Sequence, residues 1–395
     1  MRLSLAPVII VLAISIMIDV FIYCRMRLND TSGRWRRGHI VVSVISICAI
    51  LLCVILPKKS GSDANLRGIM WVLYAYLSVY LPKVVLALAM LVRLVLSSCL
   101  HRPLKGISYG GAAVAAAAFV LMWWGALINR FNLDVTETEV EISGLPQSFD
   151  GYRIVQISDI HTGTYGNDTT FLSHVVECVN GLQPDLIVFT GDIVNRHSEE
   201  LISHTKVLSR LRARNGVWSV MGNHDYGDYY KWKTQQEHLD DALKIKKMQA
   251  GMGWNMLNND HTWLHAAGDS IALIGVENIG DPPFRRYGSL TAAYPDLSDD
   301  NIKILLTHNP AHWNDSIADN VNLNIALTLS GHTHAMQFEL FGLSPAAMRY
   351  NTWGGLYNDK SGRKLYVNIG LGEVAMPARI GATPEITVLT LRSIK

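Results

Sequence analysis

The stretch YRIVQISDIHTG, residues 152–163, decides how the chain is read. A short apolar run of strand type leads into Asp159 and His161, two positions apart, and then a Thr-Gly turn. Alone, that pair suits a polar cap on a buried strand or half of a metal site. The same construction recurs down the chain. PDLIVFTGDIV (184–194) leads to Asp192, GVWSVMGNHD (216–225) to Asn223, His224 and Asp225, NIKILLTHNP (301–310) to His308, and NIALTLSGHTH (324–334) to His332 and His334. Further runs lie at 269–278, 364–372 and 385–392. Near-continuous apolar runs of this length suit strands buried on both faces. Stretches of helical pattern at 169–182 and 199–213 fall between them. Strands alternating with helices indicate a layered α/β domain.

In such a sheet the loops beyond the carboxyl ends of the strands form the ligand crevice. Residues scattered from 159 to 334 are therefore placed to converge. Asp, Asn and His together make a mixed hard and borderline donor set, suited to Mn, Fe or Zn rather than to a thiolate-bound structural zinc. The glycines of GD, GNHD and GHTH let the backbone turn sharply before the donor side chain. His332 and His334, two apart, face the same way on extended backbone and are able to contact neighbouring ions.

The blocks DIH, GD, GNHD, THNP and GHTH, in this order, resemble the calcineurin-like metallophosphoesterase family over about 150–395. The ending GLGEVAMPARIGATPEITVLTL is similar to its membrane-associated phosphodiesterase branch. The resemblance implies a four-layer α/β fold, a β-sandwich flanked by helices, over residues 134–395. It implies two divalent ions. Asp159, His161 and His334 hold the first, Asn223, His308 and His332 the second, and Asp192 bridges them. His224 stands by the leaving group as proton donor or transition-state stabiliser, and Asp225 fixes its ring. Two-metal chemistry then places the ions roughly 3.5–4 Å apart for in-line attack of water on phosphorus. Some members cleave UDP-2,3-diacylglucosamine. The competing reading is a membrane sensor or scaffold whose metal site only binds phosphate groups.

Residues 1–130 read as an all-α membrane domain. They hold 14 Lys/Arg against 3 Asp/Glu, whereas 131–395 hold 21 against 30. The basic part is also the apolar part, which argues against a nucleic-acid partner and for a lipid bilayer. Runs at 5–24, 40–56 and 109–128 approach or reach the roughly 20 residues that cross a bilayer. A longer run at 69–96, interrupted by Pro82 and Lys83, reads as one kinked helix, giving four spans. No small-residue cleavage site follows the first run, so it reads as a span and not a cleaved signal. Arg25, Arg27, Arg34, Arg36, Arg37, Arg102 and Lys105 share one side of the membrane, against Arg2, Lys58, Lys59, Arg67 and Arg130 on the other. That bias points to an extracytoplasmic catalytic domain in a multi-pass cell-membrane protein. Trp123 and Trp124 suit an interfacial belt, and Asp19 and Lys83 are placed to snorkel. Few polar groups within the spans argue against a transporter.

Of the five cysteines only Cys178 falls in the soluble part, so no disulfide framework is available there. His174, His204, His238, His261, His265 and His312 read as surface or structural, and His197 as structural or at the edge of the site. The run at 227–248 is a surface helix or a lid near the membrane. The apolar segment 338–357 either forms a lipid-admitting wall or packs on the transmembrane bundle. Arg379 closes a structural salt bridge or contacts substrate.

Overall fold

The computed structural model describes residues 5–56, 61–280, 282, 285–294, 296, 301–320 and 322–394. It divides into two compact units, one running to Ile128 with Ala375–Ala378, the other Asn129–Val374 with Arg379–Lys395.

The first unit consists of four helices long and apolar enough to cross a membrane, α1 (Leu5–Leu28), α2 (Gly33–Ile55), α3 (Asp63–Leu100) and α4 (Lys105–Leu127). Helix α3 runs through Pro82 as a single element. Among the charges used for orientation, Arg2, Lys58 and Lys59 lie outside the described residues. One expectation changes here. Asp19 and Lys83 do not snorkel but pair with each other, Nζ to Oδ1 at 2.7 Å. The Tyr80 hydroxyl donates to Asp19 and Lys83 donates to Ser43 Oγ, so α1, α2 and α3 are joined by one polar cluster. In a medium without water each charge gains more from a partner than from reaching a distant headgroup. Trp123 also packs against a neighbouring helix. Its ring stacks on Trp71 at 6.4 Å and meets Tyr74 edge-on, inside the α3–α4 contact, while Trp124 is the more exposed of the two.

The second unit has two six-stranded sheets. Its strands are β1 (Asp134–Ser143), β2 (Arg153–Ile157), β3 (Leu186–Phe189), β4 (Val217–Ser219), β5 (Trp254–Met256), β6 (Asp260–Ala266), β7 (Asp269–Gly275), β8 (Lys303–Leu306), β9 (Leu327–Ser330), β10 (Gly355–Asn358), β11 (Lys364–Val367) and β12 (Glu385–Ile394). The orders are β1-β12-β2-β3-β4-β5 and β10-β11-β9-β8-β7-β6. Strands β2 to β5 are mutually parallel, as are β7, β8, β9 and β11, so each group delivers its carboxyl ends along one rim.

Every residue of β3, β8 and β9 is buried, as expected for strands covered on both faces. Ile154, Leu186 and Val188 of one sheet meet Ile304, Leu306, Leu327 and Leu329 of the other in the central core. Val155, Ile187 and Phe189 face outward onto α5 (Thr170–Gly181) through Leu172, Val175 and Val179. The far face of the second sheet is covered by Trp313 and Ile317. Within the central layer Gln156 crosses from sheet to sheet, donating to Thr190 Oγ1 and the Ser330 carbonyl.

The helical expectation at 199–213 gives way to a 3-10 segment, Ser198–His204, and a single α turn, α6 (Thr205–Leu208). Glu200 accepts from the amides of Asn195 and Arg196, which holds the segment's start back against the GD loop.

Candidate functional site

The residues singled out from the strand ends gather at the shared rim of the two sheets. Asp159, His161, Asp192, His308 and His334 are buried, as are Asn223 and Asp225, while His224 and His332 are half-buried. Immediately past its strand the chain must leave the ladder at once. Asp159, His161, Asp192, His332 and His334 do so in the left-handed region, with φ between 49° and 77°. Non-glycine residues adopt that region only at a cost, and such residues cluster at functional sites. Gly222 and Gly331 leave the space that this packing needs. A Cβ on Gly222 would sit 2.1 Å from Asp192 Oδ1, and one on Gly331 2.3 Å from Asp159 Oδ2.

Two sets of donors result, Asp159 with His161 and His334, and Asp192 with His308 and His332. In the first, His334 Nε2 lies 3.1 Å from His161 Nε2 and 3.3 Å from Asp159 Oδ1. In the second, His308 Nε2 lies 3.1 Å from Asp192 Oδ2, 3.0 Å from Asn223 Oδ1 and 3.1 Å from His332 Nδ1. Asp192 Oδ2 is also 3.7 Å from His161 Nε2, so one carboxylate reaches both sets.

The donor chemistry fits cations. His161 and His308 donate from Nδ1 to the carbonyls of Val194 and Thr190, which turns each Nε2 into the cluster. His332 works the other way round, with Nδ1 inward and Nε2 against the Tyr350 hydroxyl at 3.2 Å. Such partners fix the ring and tautomer of a ligating histidine. The inward atoms are oxygens and lone-pair nitrogens at close range, which only a positive charge makes favourable. Burial alone would lower the pKa of His308, but Asp192, Asp159 and the Thr190 carbonyl together outweigh it and lift the pKa to about 9. Burial likewise works against ionised Asp192, yet the surrounding histidines hold it well below the carboxylate range. A divalent ion supplies the same compensation and releases the His308 proton.

One expected contact is absent. Asp225 does not hold the His224 ring; the Asn195 carbonyl does, accepting from Nδ1 at 2.6 Å. Asp225 instead accepts from the amides of Asp192, Ile193, Val194 and Gly222, tying the GD loop to the GNHD loop. Burial and the neighbouring Asp192 push its pKa up to about 7. The carboxylate is taken up by four backbone amides, and the ring by a backbone carbonyl.

Arg379 forms no salt bridge among the described contacts. Wholly buried, it donates to the carbonyls of Ile369, Gly372 and Ala382, and its Nη2 lies 3.3 Å from His334 Nδ1. His197 packs edge-on against Tyr230. His204, His238, His261, His265 and His312 bond to Gly166, Tyr226, Ala293, Ser270 and Thr307, and His174 is exposed. The run at 227–248 splits in two. Its second half is the surface helix α7 (Gln235–Gly251), which exposes Leu239 and Leu243. Its first half reaches the site. Tyr229 stacks on His224 at 4.1 Å, and its hydroxyl accepts from Asn223 Nδ2 at 2.9 Å. Tyr229 and Tyr350 escaped the sequence reading, although the aromatic clusters GDYYKW and RYNTW were visible. Within the segment 338–357, Phe341, Leu343 and Met348 are exposed, while Phe338 and Leu340 are half-buried.

Residues 152–336 match the family described as calcineurin-like phosphoesterase, and residues 1–130 match one described as probable calcineurin-like phosphoesterase, transmembrane domain. The chain is 33% identical over 302 residues to the uncharacterized metallophosphoesterase YkuE of Bacillus subtilis, an alignment spanning 73% of this chain and 96% of that one. A transmembrane protein with metallophosphoesterase domain from Bos taurus is 32% identical over 270 residues, 66% of this chain but only 57% of its own length. UDP-2,3-diacylglucosamine pyrophosphatase LpxG of Chlamydia trachomatis is 27% identical over 321 residues, 69% of this chain and 94% of its own length.

Proposed function

The chain belongs to the calcineurin-like metallophosphoesterases and is anchored in a membrane by its four helices, and we propose that it hydrolyses a phosphoester or pyrophosphate bond of a lipid-linked or membrane-proximal substrate at a dinuclear centre. The observation that carries this reading is Asp192, whose Oδ2 lies 3.1 Å from His308 Nε2 and 3.7 Å from His161 Nε2. Asp159, His161 and His334 hold one divalent ion, Asn223, His308 and His332 the other, and Asp192 both. The mixed carboxylate, amide and imidazole donors suit Mn, Fe or Zn. Bound there, the ions supply charge neutralisation at the phosphate and a water of lowered pKa.

The chain's own groups do the rest. Asn195 occupies Nδ1 of His224, which leaves Nε2 as the nitrogen that meets a substrate oxygen and, when protonated, hands a proton to the leaving group. Tyr229 braces that ring and Asn223 together, and Asp225 keeps the loops carrying Asp192 and His224 in register. The membrane spans, and the UDP-2,3-diacylglucosamine named for the Chlamydia relative, make that compound the first substrate to test. The charge bias of the loops supports a catalytic domain outside the cytoplasm, which reporter fusions to the C-terminus test.

Full-length protein with Mn²⁺ is assayed on bis-p-nitrophenyl phosphate and on UDP-2,3-diacylglucosamine. Asp192→Ala is expected to lose both ions and turnover together. Two ions and full activity in that variant would refute the bridging role, and absence of turnover with every divalent metal would favour the sensor reading.

A further inference from the structure

The GHTH segment runs directly into a loop that turns several large apolar side chains to solvent. Met336 is 42% exposed, Leu343 75%, Met348 92% and Phe341 101%. Between Phe338 and Tyr357 only Glu339 and Arg349 are charged. The base of this loop is fixed. Thr333 Oγ1 donates to the Trp353 carbonyl, Ser344 Oγ to the Ala335 carbonyl, and the Tyr350 hydroxyl lies 3.2 Å from His332 Nε2. The tip is a two-residue hairpin in which Leu340 and Leu343 exchange backbone hydrogen bonds at 3.0 Å. Its central residues, Phe341 and Gly342, both have positive φ, 55° and 75°. That turn favours Asn-Gly. A bulky residue at its first position is strained, and here the strain holds a whole benzyl group in solvent, where it gains no packing.

Exposed apolar clusters of this kind mark a surface that meets something else. The chain itself says what is near. Only residues 128–133 join α4 to β1, and six residues reach at most about 20 Å. The start of β1 is thus held within that distance of the end of α4, and Glu339 and Trp353 of the loop line one cavity with Asp134 and Thr136 of β1. We infer that the 336–350 loop inserts Phe341, Leu343 and Met348 into the acyl boundary of the bilayer that houses α4, with Arg349 beside them for the anionic headgroups. Because the loop's base carries His332 and His334, insertion brings the candidate metal centre to the lipid surface, so that it draws phosphorylated headgroups from the membrane rather than from bulk solution. This inference rests on the membrane anchoring and not on the proposed substrate, and its readout is not turnover.

The test places p-benzoylphenylalanine at 341, 343 or 348 in full-length protein, in nanodiscs of phosphatidylcholine and phosphatidylglycerol, and irradiates it. Lipid adducts by intact mass are expected from all three positions. Crosslinks to a second copy or another protein, or no adduct, would overturn the insertion. As a second variant, Phe341→Trp should lose at least twofold of its added fluorescence in brominated lipid, and an unchanged signal would overturn it too. Phe341→Asn should melt no lower than the parent, since Asn tolerates the turn. A large loss of stability would show that Phe341 serves the fold instead.

Discussion

Gly331→Ala probes the first donor set through sterics alone. Gly331 does not have positive φ, so alanine brings no backbone strain of its own. Its Cβ would meet Ser158 Oγ at 1.9 Å and Asp159 Oδ2 at 2.3 Å, whereas ordinary contact begins near 3.4 Å. The Asp159 carboxylate must therefore retreat by roughly 1 Å, while ligand distances tolerate only about 0.2 Å. It cannot retreat freely, because Oδ2 also accepts from Ser158 Oγ and from the His332 amide at 2.9 Å. Overpacking of this kind costs about 1–3 kcal/mol in stability, and misorienting a ligand costs about 10–100-fold in metal affinity. The assay is Mn²⁺ titration of full-length protein with metal per chain measured by mass spectrometry, beside a thermal melt. Ser158→Ala added to Gly331→Ala should restore part of the stability but not the metal, since the clash with Asp159 remains. Gly251→Ala, where the new methyl meets nothing within 4 Å, is the control. Two ions bound by Gly331→Ala with parental affinity would refute the placement of Asp159 as a ligand.

Tyr229→Phe removes the acceptor of the Asn223 amide while keeping the ring on His224. Metal affinity should fall about tenfold in a two-step titration, at the site holding Asn223 only. Burial lowers the pKa of His312 to about 4 from 6.5, so its neutral form is favoured in the fold and stability is lost as pH falls from 6.5 to 4. His312→Gln should recover up to about 3 kcal/mol of that loss, read from denaturant unfolding of chelator-treated protein at pH 7 and pH 4.5. In the membrane unit, Asp19→Ala leaves Lys83 without its carboxylate and should cost about 3–5 kcal/mol, measured by steric-trap or denaturant unfolding in detergent. Adding Lys83→Met should return most of it, and an equal loss in both variants would show that the pair is not coupled.

The sequence by itself determined the elements whose signal is local. Four apolar runs long enough for a bilayer became four helices, and all eight apolar strand runs became β2, β3, β4, β7, β8, β9, β11 and β12. The strands left unread were β1, β5, β6 and β10, which are short or lie toward the edges. Over 139–142 strand β1 alternates acidic and buried apolar residues, a period-two signal that was there to be used. The residues of the candidate site were equally legible as types, because each follows a buried strand directly and the sheet topology carries strand ends to one rim.

What only the tertiary structure decided concerns partners. Which group holds His224, Asn195 or Asp225, depends on loops 29 positions apart closing on each other. Whether His332 points Nδ1 or Nε2 inward depends on Tyr350, and whether Asp19 snorkels or pairs depends on the packing of α1 against α3. A sequence lists donors and acceptors with their local geometry. Each buried polar group then takes the nearest partner that satisfies it, and nearness is settled by the packing of segments distant along the chain.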